Sequence, residues 1–226
     1  MTYKYRENAR QALMGNWGKA ILISLVAALL GGLVVQTVGD ISFDIDENIL
    51  RSLPDYVKTY LQYAAAIALI LGIIQFIMGG VTLLGYSKCL LKWIDGEEVT
   101  FSDLFSQMHL FAEGFLLVLL RSLLIALWTL LLVIPGIIAT YKYAMAPFLL
   151  VENPGMRPLE AITTSKVYMD GFKMDLFILD LSFIGWHLLS ILTLGIGYLW
   201  LVPYQNVAYA AFYRDLCPKT FSTKTN

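Results

Sequence analysis

Residues 115–152 read FLLVLLRSLLIALWTLLLVIPGIIATYKYAMAPFLLVE, and this stretch decides the fold. No charged residue interrupts it between Ser122 and Tyr141. The pair Pro135-Gly136 divides it into two apolar arms, and a helix needs about 20 such residues to cross a bilayer. Inside hydrocarbon every backbone N–H and C=O group must be satisfied within the segment, so both arms are predicted to be helices. The stretch therefore predicts a tight transmembrane hairpin, and the rest of the chain varies this pattern.

The composition of the whole chain is typical of an integral membrane protein. Of its 226 residues, 58% are hydrophobic and 15% are charged, and the mean hydropathy is +0.67. Soluble domains carry about 25% charged residues, and one soluble core of this size cannot hide so much apolar surface. The first apolar run, 20–38, is longer than the hydrophobic region of a signal peptide, and no A-x-A site follows it. We expect this run to be a retained span.

The pattern predicts an all-α fold, a single transmembrane domain over residues 1–226 with six helices in three hairpins plus amphipathic surface helices. The predicted spans cover residues 18–38, 61–87, 115–134, 137–151, 174–192 and 198–213. The second is longer than a bilayer requires, and Gly79-Gly80 is the expected place for a break. Pro203 is expected to kink the sixth.

The segments between the hairpins differ in charge. Residues 39–60 hold five acidic and two basic residues and are predicted to form an extracellular acidic loop. Residues 88–114 and 153–173 are predicted to be cytoplasmic amphipathic segments that lie along the membrane surface. In the first of them, Thr100 and Asp103 have the spacing of a helix capping box.

The distribution of basic residues predicts the orientation. With the N-terminus inside, the cytoplasmic segments hold twelve of the sixteen lysines and arginines, and the outside holds Arg51 and Lys58. Because cytoplasmic segments of membrane proteins are enriched in basic residues, both termini are predicted to be cytoplasmic. We expect a multi-pass protein of the plasma membrane, in contact with phospholipid. The basic amphipathic helix at 4–14 suits the headgroups of anionic lipids.

A weak internal repeat supports the three hairpins. FSDLFSQMHLFAEGF at 101–115 and PLEAITTSKVYMDGF at 158–172 have the same length, and both end in an acid followed by Gly-Phe. Each leads directly into a hairpin. Spans two, four and six are each followed by an acid, respectively Asp95, Glu152 and Asp215. The alternative stays open, because any helical membrane protein looks repetitive.

The second half of the chain carries a family resemblance. The quoted motifs are VIPGIIATYKYAMAPFLLVENPGM, EAITTSKVYMDGFK, LSFIGW, TLGIG and PYQNVAYAAFY. Together they resemble an uncharacterised bacterial integral membrane family, a domain of unknown function, which is distantly similar to the membrane domain of some glycerophosphodiester phosphodiesterases. The resemblance covers residues 5–216 and implies a multi-pass bacterial membrane protein. It supplies no activity and no catalytic residue.

Charged residues inside the spans are the first candidates for a functional site, because they are costly in a bilayer. Arg121 and Asp180 lie at similar depths if the two repeat copies are equivalent. They form an ion pair between helices, or they bind an anionic or cationic headgroup, or Arg121 extends to the membrane interface. Asp180 and His187 share one face of a span but lie about 10 Å apart along its axis, so we expect no direct hydrogen bond.

Three further residues complete the candidate binding site. Lys142 lies between two tyrosines and is interpreted either as an outer-leaflet anchor or as a binding residue. Gln205 and Asn206 follow Pro203, and they either line a cavity or pack between helices. Cys89 and Cys217 match no metal-ligand spacing and are expected to be free thiols.

The sequence contains no motif for a nucleophile, a metal ion, a phosphate loop or nucleic-acid binding, so neither a catalytic residue nor a cofactor is predicted. We expect a non-enzymatic scaffold that binds lipid, in particular anionic lipid, or a partner protein, with a possible homo-oligomer. The alternatives are a transporter or its accessory subunit, and a membrane-embedded enzyme that acts on lipid. A transporter predicts connected polar groups along a path, an enzyme predicts converging titratable groups in a cleft, and a scaffold predicts neither.

Overall fold

The computed structural model describes residues 2–31 and 54–218, and within these ranges the fold is all-helical. The helices are α1 Thr2–Leu13, α2 Trp17–Leu29, α3 Asp55–Ile94, α4 Phe101–Phe105, α5 Phe111–Leu131, α6 Val133–Lys142, α7 Ala146–Glu152, α8 Pro158–Tyr168, α9 Lys173–Leu181, α10 Ile184–Leu192 and α11 Tyr198–Leu216. A 3-10 turn, Met108–Leu110, precedes α5. Residues 39–53 of the predicted acidic loop lie outside the described residues. The end of the first predicted span, 32–38, lies outside them as well.

Several of these helices are apolar enough to cross a membrane. Four segments qualify, namely Asp55–Ile94, Phe101–Leu131, Val133–Glu152 and Lys173–Leu192. The number of candidate spans rises to five if α1 and α2, which meet at 102°, are taken as one span. The six predicted spans are not confirmed in the described ranges, because α11 is not among these segments. Its polar residues face protein neighbours, so α11 does not need a wholly apolar surface.

Helix α3 corrects two predictions about the second span. It begins at Asp55 rather than Leu61, and its 40 residues continue through Gly79-Gly80 without a break. At 1.5 Å per residue it is about 60 Å long, twice the hydrocarbon thickness. Gly80 serves a close helix contact instead: a Cβ there would lie 2.5 Å from the backbone of Gly114 in α5. Small residues let two membrane helices approach closely, which explains the glycine without a kink.

The hairpin of α5 and α6 turns at Leu132, three residues before the predicted turn at Pro135-Gly136. Leu132 has an extended backbone (φ −162°, ψ 144°) and is the whole connection between the two helices. Pro135 falls in the first turn of α6, where a missing N–H costs no helical hydrogen bond. Gly136 lies beside α5, because a Cβ there would meet Thr129 at 2.2 Å.

The fourth and fifth predicted spans are each interrupted. The fourth is divided into α6 and α7 by residues 143–145, and Pro147 is the second residue of α7. Proline has no N–H to donate to the Tyr143 carbonyl four residues earlier, so a helix that continued through the break would lack that hydrogen bond. The fifth is divided into α9 and α10 at Ser182 and Phe183.

Side chains of surface helices satisfy the backbone at both breaks. The Ser165 hydroxyl of α8 donates to the Lys142 carbonyl at 3.0 Å and accepts from the Met145 N–H at 3.2 Å. The Arg6 guanidinium of α1 donates to the Ser182 carbonyl at 3.4 Å. The surface helices thus hold the interrupted spans in place.

Acidic residues at the ends of three predicted spans meet at one end of the bundle. Arg214 forms a bidentate pair with Asp95, with both distances 2.8 Å, and lies 2.5 Å from Glu152. The third acid, Asp215, accepts from Lys4 at 2.6 Å and from the Tyr5 hydroxyl at 2.9 Å, and the hydrogen bond from Lys4 holds the pKa of Asp215 below its usual value. This convergence fits the predicted repeat and fastens α1 to α11.

Smaller predictions can also be compared with the fold. Thr100 and Asp103 form the predicted capping box, with the Thr100 N–H 2.8 Å from the carboxylate. The predicted turn at 193–197 joins α10 to α11. Both cysteines are free, as predicted. Pro203 lies inside α11 without ending it.

Candidate ligand cavity

A cavity of about 1030 Å³ lies among the helices. Its walls come from α2, α3, α5, α6, α7, α9, α10 and α11, so each of the six predicted spans contributes to it. One part of the lining is apolar and includes Ile21, Leu25, Ile137, Leu199 and Val202. The polar part includes Ser24, Gln75, Arg121, Thr140, Tyr141, Asp180, His187, Gln205, Asn206 and Tyr209. The cavity is therefore amphipathic.

Asp180 is the centre of a hydrogen-bonded cluster on one wall. Its Oδ2 atom accepts from the Tyr141 hydroxyl of α6 at 2.8 Å. Its Oδ1 atom accepts from the Tyr209 hydroxyl and from Gln205 Nε2 at 3.4 Å, both on α11. Gln205 also donates to the Tyr209 hydroxyl at 2.9 Å. Three neutral donors from two helices thus surround the carboxylate.

Arg121 lines the same cavity without any such cluster. The residue is 6% exposed, and its Nη1 nitrogen is buried without a hydrogen-bond partner. In the ranges that the structure describes, no acid lies within ion-pair distance of Arg121. The predicted ion pair with Asp180 is therefore not formed. The carboxylate of Asp180 accepts instead from Tyr141, Tyr209 and Gln205.

The other predicted residues of the fifth and sixth spans also reach the cavity. His187 is half-buried, and its ring lies 5.7 Å from the ring of Tyr198. No hydrogen bond joins it to Asp180 in the described part of the chain. Asn206 is 7% exposed and donates to the Val202 carbonyl at 2.8 Å. Pro203 has no N–H, so the Leu199 carbonyl at the cavity wall lacks its usual helical donor.

Lys142 is the one candidate residue that does not line the cavity. Its Nζ atom lies 5.8 Å from the ring of Trp128 and 5.9 Å from that of Tyr143. Its carbonyl binds Ser165 of α8, the helix that the sequence places on the cytoplasmic side. The backbone of Lys142 thus adjoins α8, while its side chain lies near Trp128, about one turn before the connection at Leu132, and its role as an outer-leaflet anchor stays a prediction.

A second cavity of about 590 Å³ lies beside α1. Arg6, Glu7 and Arg10 line one side, while three tryptophans, Trp17, Trp186 and Trp200, line others. Arg10 is paired with Glu7 at 3.2 Å. This groove is where the basic helix at the N-terminus, predicted to meet anionic lipid, adjoins the bundle.

Comparison with known proteins assigns the family. The family model described as "Protein of unknown function (DUF975)" matches residues 1–135 and 129–219. The chain belongs to this family. The match confirms the predicted membership in an uncharacterised family and gives no support to a likeness with glycerophosphodiester phosphodiesterases. Neither the curated proteins nor the solved structures yielded a match.

The sequence identified part of the cavity of this DUF975 protein and missed the rest. Arg121, Asp180, His187, Gln205 and Asn206 all line it, as polar residues inside apolar runs suggested. The missed residues are the donors to Asp180 on α6 and α11 and the polar groups of α2 and α3, namely Tyr141, Tyr209, Ser24 and Gln75. The spacing of Gln205 and Tyr209, four residues apart on one helix face, is a signal that could have found Tyr209.

Proposed function

We propose that this protein is a non-enzymatic, lipid-binding membrane protein whose central cavity holds an amphipathic molecule, with the anionic group of that molecule beside Arg121. The observation that carries the proposal is the unpartnered, buried guanidinium in a cavity that also has apolar walls. An arginine carries five N–H donors in a planar fork that matches a phosphate or carboxylate. A ligand with such a group would supply the acceptor that Arg121 lacks among the described residues.

The cost of Arg121 supports this proposal. An arginine at the centre of a membrane helix costs about 2.5–3.5 kcal/mol by insertion measurements. This cost is larger than the stability that a surface ion pair contributes. Such residues mark ligand or ion sites by default. The cavity volume is at the upper end of the 300–1000 Å³ typical of small-molecule sites. A lipid headgroup with the first part of its acyl chains is a ligand of suitable size and chemistry.

Native mass spectrometry in a gentle detergent tests the proposal. The wild-type protein is expected to retain a phosphate-bearing lipid through purification, and Arg121→Gln is expected to lose most of it. Lys142→Gln is the matched control, since it removes a cation of the same membrane region that lies outside the cavity. Arg6→Gln reports separately on lipid in the groove beside α1. Equal retention by the wild type and Arg121→Gln would contradict the proposal. The same spectra report whether the protein binds a second copy or another protein.

The membrane arrangement is part of the proposal. We infer six spans, a location in the plasma membrane and cytoplasmic termini. The twelve-to-two bias of basic residues supports this orientation, and so does the meeting of Asp95, Glu152 and Asp215 at one end of the bundle. An impermeant thiol reagent added to intact cells should label a cysteine introduced at Asp46 but not Cys217. Labelling of Cys217 from outside would contradict the orientation.

Transport is the second candidate, and the interrupted spans favour it. Secondary transporters place their sites beside broken helices near the middle of the membrane. Here both interruptions, at 143–145 and at Ser182-Phe183, adjoin residues of the cavity. A liposome assay distinguishes transport from binding. Movement of a labelled phospholipid between leaflets that depends on Arg121 would place the transporter first.

We do not propose catalysis. A general base must lie within hydrogen-bond reach of the proton it removes, and Asp180 and His187 are not joined to each other or to a nucleophile in the described ranges. The distant likeness to phosphodiesterase membrane domains stays a prediction. Hydrolysis of a glycerophosphodiester that disappears in His187→Ala would overturn the proposal of a non-enzymatic protein.

A further inference from the structure

The central cavity carries two full charges of opposite sign. Of the residues that line it, Arg121 is the basic one and Asp180 the acidic one. Charges in a membrane interior usually pair with each other, because the cost of an unpaired charge is high. Here they remain separate, so the cavity offers a positive and a negative site to one occupant.

Asp180 keeps its charge uncompensated despite three hydrogen bonds. Its donors are two tyrosine hydroxyls and an amide, all neutral groups. In the residues that the structure describes, no lysine, arginine or histidine lies within ion-pair distance of this carboxylate. Oδ1 accepts two of the bonds and Oδ2 accepts one, whereas a carboxylate has about four acceptor sites. One acceptor site on Oδ2 is therefore left for a further donor.

The surroundings of Asp180 suit a cation. The rings of Tyr141, Tyr198 and Tyr209 line the cavity together with that of Phe148. The face of an aromatic ring attracts an ammonium group within about 6 Å, and the attraction increases where water is excluded. An ammonium that donates to Oδ2 would lie beside the two tyrosines whose hydroxyls bind Asp180, Tyr141 and Tyr209.

Only one charge pattern in a ligand satisfies both sites. A purely anionic headgroup would pair with Arg121 and leave the charge of Asp180 in the same cavity without a counter-charge. A purely cationic group would leave Arg121 unpartnered. A molecule with both charges meets the acceptor site of Asp180 and the donors of Arg121 at once.

We propose that the ligand of the central cavity is zwitterionic, a phospholipid headgroup that carries a primary ammonium beside its phosphate. The phosphate binds Arg121 and the ammonium binds Asp180. This inference rests on the proposed function, because it takes the cavity to be a lipid site. It adds the class of headgroup, which Arg121 alone does not determine.

A competition between two lipids tests the inference. The delipidated protein is offered an equal mixture of phosphatidylethanolamine and phosphatidylglycerol with identical acyl chains, and native mass spectrometry measures the ratio of the bound lipids. The wild-type protein is expected to favour phosphatidylethanolamine about tenfold. Asp180→Asn keeps an acceptor oxygen but removes the charge, so its ratio should fall to about one. Lys142→Gln should keep the wild-type ratio.

The outcomes separate this inference from the proposed function. If the wild type binds both lipids equally, or prefers phosphatidylglycerol, the zwitterion is excluded while lipid binding stands. If it binds neither lipid, the proposed function fails. The wild-type ratio decides the question even if Asp180→Asn does not fold. Free glycerophosphoethanolamine, added as a competitor, distinguishes a lipid from a soluble source: displacement at equal concentration would keep the zwitterion and assign it to a soluble molecule.

Discussion

Arg121 and Asp180 line the same cavity, yet the protein surrounds them in opposite ways. Asp180 accepts hydrogen bonds from Tyr141, Tyr209 and Gln205, whereas Arg121 has a buried nitrogen with no partner. A bundle that needed only stability would pair the two charges or replace them with apolar residues. Asp180 joins α6, α9 and α11 through these bonds, and the unpartnered nitrogen of Arg121 supports the proposal that Arg121 binds a ligand.

The largest effect is expected at the satisfied charge. Asp180→Ala leaves the hydroxyls of Tyr141 and Tyr209 without their acceptor, and each stranded group costs about 1–3 kcal/mol. We expect the free energy of unfolding to fall by about 3–5 kcal/mol, measured by titration of the detergent-solubilised protein with a denaturing detergent. Asp180→Asn, which keeps an acceptor oxygen, should lose less. An unchanged unfolding midpoint in Asp180→Ala would show that the cluster does not join α6, α9 and α11.

Removal of the unpartnered charge of Arg121 should raise the free energy of unfolding, whereas removal of Asp180 lowers it. Arg121→Leu removes a buried guanidinium that no group in the described part of the chain compensates, so the delipidated protein should gain about 2 kcal/mol in the free energy of unfolding. An ion pair with Asp180 would instead predict a loss of about 3–5 kcal/mol, because the carboxylate would be stranded. The same titration measures both variants. A clear loss of stability in Arg121→Leu would contradict the separation of the two charges.

The smallest expected effect is the coupling between the two sites. Independent sites have mutational effects that add to within about 0.5 kcal/mol. A double-mutant cycle of Arg121→Leu and Asp180→Ala, measured on delipidated protein, should therefore show a coupling energy near zero. A coupling of about 1 kcal/mol or more would show that the side chains meet in solution. If phosphatidylethanolamine bridges the sites, coupling should appear when that lipid is added back.

Several of the polar residues that line the cavity could be predicted from the sequence. The residues that they contact could not be predicted. A charge inside an apolar run is visible without any structure, so Arg121 and Asp180 were found. Tyrosine is common at both membrane interfaces, where it anchors the helix. The sequence therefore does not distinguish such an anchor from a hydrogen-bond donor to Asp180, which is the role of Tyr141 and Tyr209. The choice of partner depends on how α6 and α11 face α9, which no spacing within one helix determines.

The errors in the fold have similarly specific causes. Glycine permits a bend and also a close approach, and Gly79-Gly80 was interpreted as a break because the position of Gly114 across the helix pair was unknown. Pro147 marks the interruption of the fourth span, and this proline is a signal that the sequence alone provides. The two hairpin turns within the described ranges, at Leu132 and at 193–197, were predictable to within a few residues because long apolar runs in lipid have few backbone solutions.

Photolabelling tests most directly whether Arg121 makes the central cavity a lipid site. Phosphatidylethanolamine with a diazirine on one acyl chain is bound to the wild-type protein and to Arg121→Gln, irradiated, and the labelled residues are mapped by peptide mass spectrometry. In the wild type we expect labels on Leu199, Val202 and Ile137 in the cavity, and also on Leu69 of the exposed half of α3, which reports general contact with lipid. Arg121→Gln should lose the cavity labels and keep the label on Leu69. Cavity labels of equal intensity in both proteins, or no cavity label in the wild type, would contradict the account.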